Sequence, residues 1–327
     1  MRHGVVIVGS SVAGVRAARA LRAEGYQGRV TLVGEERGLP CDRPPLSKQV
    51  LTGAWAPERT GLLTAQAAQA DGIELRLGVP ALALDTDVRR VLLADGDLLP
   101  YDDLVIATGA MPRPSPWRPG SGVYQLRTLA DSLALKERFA AGGEVVMIGG
   151  GFIGAETAAA ARAAGCAVTI VDPVPVPMAR ATGPVVGELL AGLHGRHGVV
   201  ARFGVGVEAV TGQAGDLTVT LSDGTALRAG TVVVGIGAVP NDAWLGGSGL
   251  VVAGIGLGII GCVLIVPAVF SWATDLFDKS AEGLASKVEG ASKTVGTVAG
   301  TLHRSFNEAR KAGVAELRRG RTGTVDG

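Results

Sequence analysis

The sequence predicts an α/β protein with two Rossmann-like units in tandem, followed by an apolar segment and an amphipathic tail. Three observations point there. Segments beginning at Val5 and Val145 each run from β-branched residues through a glycine turn into an Ala-rich helix, then to a strand tipped by an acid. Between Asp242 and Asp275 no charged residue occurs. Beyond Asp275 apolar residues recur at alternating steps of four and three.

The totals bound the class. A chain of 327 residues is long enough for two or three domains. Its 31 basic and 30 acidic residues leave a net charge of +1, which gives no reason to expect nucleic acid as a partner. The 50 glycines sit within apolar, strand-like runs and read as tight loops. Cys41, Cys166 and Cys262 are far apart and form no CxxC pair, so neither a disulfide framework nor a metal site is expected. The start, MRHGVVIVGSSVAG, lacks signal-peptide features, and the N-terminal part is expected in the reducing cytosol.

The first unit has a strand at Val5–Val8, a turn at Gly9, a helix over Val12–Ala23 and a strand at Val30–Val33 ending in Glu35. Such a unit holds a dinucleotide. The close turn and helix N-terminus meet a pyrophosphate, and the acid accepts hydrogen bonds from a ribose. Its fingerprint is Gly9-x-Ser11-x-x-Gly14, with serine in place of the middle glycine.

The second unit is complete. Gly149, Gly151 and Gly154 follow the strand Val145–Ile148, and the strand Val168–Val171 ends in Asp172, 23 residues after Gly149. A carboxylate there repels a 2′-phosphate, which favours NADH over NADPH. Two cradles imply two dinucleotides, and a flavin is the natural partner for a nicotinamide. Between the units, Asp71–Leu98 reads as short strands with turns at DTD and ADGD. Asp216–Gly237 alternates around an Asp-Gly pair, a hairpin signal.

Four further stretches, LPCDRPPLSK (Leu39–Lys48), YDDLVIATGAMPR (Tyr101–Arg113), YQLRTLAD (Tyr124–Asp131) and TVVVGIGAVPN (Thr231–Asn241), sharpen the reading. With the cradles they resemble the NADH-dependent ferredoxin and rubredoxin reductases, putidaredoxin reductase-like flavoproteins of the glutathione reductase type. The resemblance runs from about His3 to Leu250.

It implies roles by position. FAD is expected on Gly9, Ala13 and Gly14, with Glu35 on its ribose, Ala81 near the adenine, and Ala107, Thr108 and Gly109 beneath it. Arg43, Lys48 and Arg127 are expected to contact the FAD. NADH is expected on Gly149, Gly151, Ile153, Gly154 and Asp172, with Gly237 closing the site. Lys48 and Glu156 are the expected catalytic pair, the ammonium steadying charge on a reduced flavin and the carboxylate holding the ammonium. Disulfide reductases of this fold carry a Cys-x₄-Cys pair beneath the flavin; no such pair occurs here, which disfavours a dithiol relay.

The family pattern stops near Leu250. The resemblance implies a second FAD segment ending in Gly-Asp, then a C-terminal α/β domain. Here SWATD stands in place of the Gly-Asp step, and only some fifty residues follow. Three readings of the apolar run stay open: a transmembrane or re-entrant segment, a divergent FAD strand, and a joined or shifted reading frame. Leu250–Phe270 is 21 uncharged residues, about 31 Å as a helix against a hydrocarbon core of about 30 Å.

The expected division is residues 1–113 for the first part of the FAD domain, 114–235 for the NAD domain and 236–249 for an incomplete return to the FAD domain. The segment 250–272 is expected to associate with a membrane, and 273–327 is an amphipathic or partly disordered tail. Three functions follow. The first is an FAD-dependent NADH oxidoreductase passing electrons to a ferredoxin- or rubredoxin-like iron–sulfur protein, its catalytic part cytoplasmic and tethered to the inner face of the cell membrane. The second is a degenerate, non-catalytic nucleotide-binding protein or truncated gene product. The third is a flavin–thiol oxidase or peroxide reductase using Cys41, whose neighbour Arg43 is able to lower a thiol pKa.

Overall fold

Strands buried on both faces need continuous apolar runs, and two parallel sheets of this kind organise the chain. A computed structural model describes residues 4–117 and 121–250. In chain order, the first stretch holds β1 (Val5–Val8), α1 (Val12–Ala23), β2 (Val30–Gly34), α2 (Ala65–Ala70), β3 (Ile73–Leu77), β4 (Ala81–Asp85), β5 (Arg90–Leu93), β6 (Leu98–Pro100), β7 (Asp103–Ile106) and β8 (Ala110–Pro112). Two 3₁₀ turns, Pro44–Ser47 and Pro57–Thr60, lie between β2 and α2. The second stretch holds β9 (Val123–Tyr124), α3 (Leu129–Ala140), β10 (Glu144–Ile148), α4 (Phe152–Ala163), β11 (Ala167–Asp172), α5 (Ala179–Thr182), α6 (Pro184–Arg196) and β12 (Val199–Phe203). It continues through β13 (Val207–Gln213), β14 (Asp216–Leu221), β15 (Ala226–Ala229), β16 (Thr231–Val234) and β17 (Ala238–Pro240), then a 3₁₀ turn at Ala243–Leu245.

The first sheet has the order β3-β2-β1-β7, all parallel, with Val5 opposite both Val30 and Asp103. All four residues of β1 are buried. Val15 and Ala18 of α1 pack with Ile7, Leu32 and Ile73 in one core cluster. The second sheet repeats the plan as β12-β11-β10-β16-β9, again parallel. Small side chains let its helix sit close: Ala158 and Ala161 of α4 are fully buried against Met147 and Ile170.

The sequence expectation of short strands over Asp71–Leu98 divides in two. β3 joins the first parallel sheet, whereas β4, β5 and β6 form their own antiparallel sheet. The hairpin expected around Asp-Gly is β14–β15, turning at Asp223–Gly224, and β13 adds a third strand. β17 pairs antiparallel with β8, returning the chain from the second sheet to the end of the first. Among the described residues no helix is long and apolar enough to cross a membrane. The apolar run from residue 251 and the tail, with the membrane and amphipathic-tail expectations placed on them, lie outside the described residues.

Candidate functional site

Both cradles are built by glycines that the backbone itself requires. Gly9 has φ +117°, and a Cβ there would overlap the carbonyl of Ala107; a Cβ on Gly14 would overlap the carbonyl of Gly9. The second cradle repeats this, Gly149 (φ +111°) against Gly235 and Gly154 against Gly149. The middle position differs in kind. A Cβ on Gly151 would meet nothing within 4 Å, so that glycine faces open space in front of the α4 N-terminus. Its counterpart Ser11 is the N-cap of α1, and its hydroxyl makes no cap hydrogen bond. Serine is therefore tolerated where the tight turn is set by Gly9 and Gly14. Neither α1 nor α4 has an acid in its first turn, which leaves both N-termini fit for an anion.

The acids at the strand ends are not equivalent. Asp172 Oδ2 accepts from the Gly150 amide at 2.6 Å and Oδ1 from the Val174 amide at 2.8 Å. The carboxylate is thus fixed across the mouth of the second cradle. In the first cradle Gly9 N donates to Val33 O, just as Gly149 N donates to Val171 O. Gly34 therefore takes the place of Asp172, and a Cβ at Gly34 would run into Ser10. Glu35 follows one residue later and is exposed. Glu36, which the sequence reading did not single out, is half-buried and lines a cleft with Ser10, Ser11, Cys41 and Arg43. The tandem acids Glu35-Glu36 were the only sequence signal for it.

The other expected residues gather around these mouths. Ala107 donates from its amide to Val8 O, and Gly109 (φ +66°) accepts from the Asn241 amide, which brings β7 back past the first cradle. Ala13 lies exposed in the first turn of α1. Ala81 opens β4, two residues after Val79 donates to Gly34 O, and packs beside the core cluster of Val6, Val8 and Val33. Ile153 is 39% exposed on the first turn of α4. Gly237 (φ +109°) accepts from the Arg113 amide at the β8–β17 return.

Between the cradles lies an ion pair. Lys48 Nζ is 2.9 Å from Glu156 Oε2, with the two side chains 22% and 11% exposed. Neither is a solvated surface group. The Ser47 hydroxyl donates to the same Oε2, and Lys48 also donates to Pro44 O at 3.2 Å. Glu156 Oε1 is buried without a hydrogen-bond partner; leaving such a group unpaired costs about 1–3 kcal/mol. Ser47 ends the 3₁₀ turn after β2 and Lys48 follows it, whereas Glu156 lies in α4, so the contact joins a turn of the first unit to a helix of the second.

A second charged cluster borders the first cradle. Arg43 pairs with Glu36 at 2.5 Å and donates to Arg127 O at 2.9 Å, while its Nε is buried without a partner. Burial and the neighbouring Arg43 push the Arg127 guanidinium down to about 10. Two partly desolvated cations side by side suit an anionic ligand. Cys41 stands beside them, but burial and the negative Glu36 push its thiol up; Arg43, spent on Glu36, does not reverse this. Cys166 is buried, with Sγ 3.4 Å from Phe139 O. Among the described residues no group of His, Cys, Asp and Glu is placed to hold a metal.

Comparison with known proteins gives the same outline. Residues 3–258 match the family described as pyridine nucleotide-disulphide oxidoreductase. The chain is 42% identical to rhodocoxin reductase of Rhodococcus erythropolis over 240 residues, which is 72% of this chain and 56% of that protein. It is 40% identical to putidaredoxin reductase CamA of Pseudomonas putida over 254 residues, 75% of this chain and 60% of that one. The reductase in the crystal structure of the covalent putidaredoxin reductase–putidaredoxin complex is similar with a TM-score of 0.73 and 38% identity, over 76% of this chain and 62% of that chain. The chain thus spans 56% to 62% of the length of these relatives.

Proposed function

Because this chain belongs to the pyridine nucleotide-disulphide oxidoreductase family, we propose that it is an FAD-dependent NADH oxidoreductase of the ferredoxin reductase type. Electrons go to a ferredoxin- or rubredoxin-like iron–sulfur protein. The observation that carries this reading is the half-buried Lys48–Glu156 pair, which ties the turn after β2 of the first unit to α4 of the second cradle. The relatives that the chain resembles over 72% to 75% of its residues are named as reductases of rhodocoxin and putidaredoxin.

The residues fit the two cofactors. In the first cradle the glycine turn and the α1 N-terminus leave room for a pyrophosphate, and the orphaned Arg43 Nε and the desolvated Arg127 guanidinium await an acceptor. In the second, the space in front of Gly151 and the anchored Asp172 suit a nicotinamide dinucleotide with a free 2′-hydroxyl. Bound FAD would supply the ability to take two electrons together and release them singly. The chain's own part is electrostatic and geometric. Lys48 places a positive charge at the junction, Glu156 holds it, and their partial burial limits screening by water. The flavin–thiol alternative has less support, since the Cys41 thiol is held in its protonated form.

A visible spectrum of the purified full chain tests the reading. Flavin bands that bleach on addition of NADH are the expected result. A colourless protein that still binds NADH would instead favour the non-catalytic alternative.

A further inference from the structure

The geometry points to Ser47 as a positioning residue that acts on Lys48 through Glu156, a role that rests on and deepens the function proposed above. Ser47 is 3% exposed, and its hydroxyl lies 2.5 Å from Glu156 Oε2, the oxygen that also meets Lys48 Nζ. Its other acceptor, Pro44 O, is at 3.4 Å and competes poorly for the single proton. The turn that carries Ser47 has little freedom. Pro44 and Pro45 fix its first two residues, and the buried Ser132 hydroxyl of α3 donates to Leu46 O at 2.6 Å. Ser47 is thus a fixed donor aimed at a carboxylate from another element. Both donors fall on Oε2 and none on Oε1, so the carboxylate is held in one rotation about its last bond. That rotation sets where the ammonium rests.

The test measures Lys48 directly. In the full chain as purified, lysines are labelled by reductive methylation and Lys48 is compared with the exposed Lys136 of α3 by peptide mass spectrometry. Ser47→Ala is expected to raise the Lys48:Lys136 ratio about threefold or more, with Ser47→Thr, which keeps the hydroxyl, near the parent value. In a Glu156→Gln background, adding Ser47→Ala is expected to change nothing further, because the effect runs through the carboxylate. An unchanged ratio in Ser47→Ala, or an equal rise in both backgrounds, would overturn the proposal. General loosening of the fold frees Lys48 whether or not the Glu156 carboxylate is present, so it gives the equal rise in both backgrounds that counts against the proposal. The readout needs no flavin, so a colourless protein would defeat the functional reading while this comparison still decides the role of Ser47.

Discussion

Gly151 and Gly154 stand three residues apart and answer to different constraints. A methyl on Gly154 has nowhere to go but the Gly149 carbonyl, whereas one on Gly151 enters open space before the α4 N-terminus. Gly154→Ala is therefore expected to cost about 2–3 kcal/mol of stability, read as a lower denaturant midpoint. Gly151→Ala is expected to stay within about 1 kcal/mol of the parent while NADH affinity falls about tenfold or more, roughly 1.4 kcal/mol, read by fluorescence titration. Equal stability losses in the two variants would contradict this division. Arg127 belongs to the same scale. Its charge is already disfavoured by burial and by Arg43, so Arg127→Leu is expected to leave the ligand-free protein at least as stable and to weaken FAD binding about tenfold. At Cys41 the raised thiol pKa means alkylation at pH 7 slower than for a free cysteine, its rate still climbing with pH above 9 as thiolate forms. A rate that levels off below pH 8 would show an activated thiol.

Among elements, the start of α3 does two tasks at once. Thr128 and Asp131 form a capping box, and Asp131 Oδ2 also accepts from the Arg127 amide at 3.0 Å. Asp131→Ala is thus expected to cost about 1 kcal/mol and, unlike a cap elsewhere, to lower FAD affinity as well, through the loosened Arg127. Calorimetry with a parallel FAD titration separates the two effects. What the sequence made legible sits mostly at this scale. The bounds of β1 and α1 were readable to the residue because β-branched and Ala-rich runs abut a glycine turn, and Asp223-Gly224 announced its hairpin. The less legible parts are those decided by distant partners. Nothing local shows that Gly34 takes the place held by Asp172 in the other cradle, or that Glu36 turns inward on Arg43. Nothing in PPLSK reveals that Ser47 meets a carboxylate 109 positions away. Such contacts are fixed by how segments far apart in the chain meet, which no short window contains.

At the scale of the described molecule, the two cradles are expected to act on stability through ligands. A dinucleotide that binds the folded chain alone stabilises it by about 2.7 kcal/mol at a hundred times its Kd, which for a domain of this size is roughly 5–11 °C in Tm. FAD and NADH are each expected to give such a rise in a thermal melt, and their effects to add unless the Lys48–Glu156 junction couples them. A melt unmoved by FAD but raised by NADH would leave only the second cradle in use. The same view explains why one fingerprint tolerates serine. Gly9 and Gly14 meet backbone, so the fold fixes them; the side chain at position 11 makes no cap hydrogen bond and lines the cleft.

Glu156 and Lys48 reach their meeting point from opposite ends of the architecture. Severed near residue 114 and produced separately, each portion would turn its ion out to water without its partner, and neither would be a lesser working copy of the whole. Co-produced, the two would have an electrostatic incentive to reassemble. Allegiance between the parts is written into the same few atoms to which the proposed function gives the chemistry.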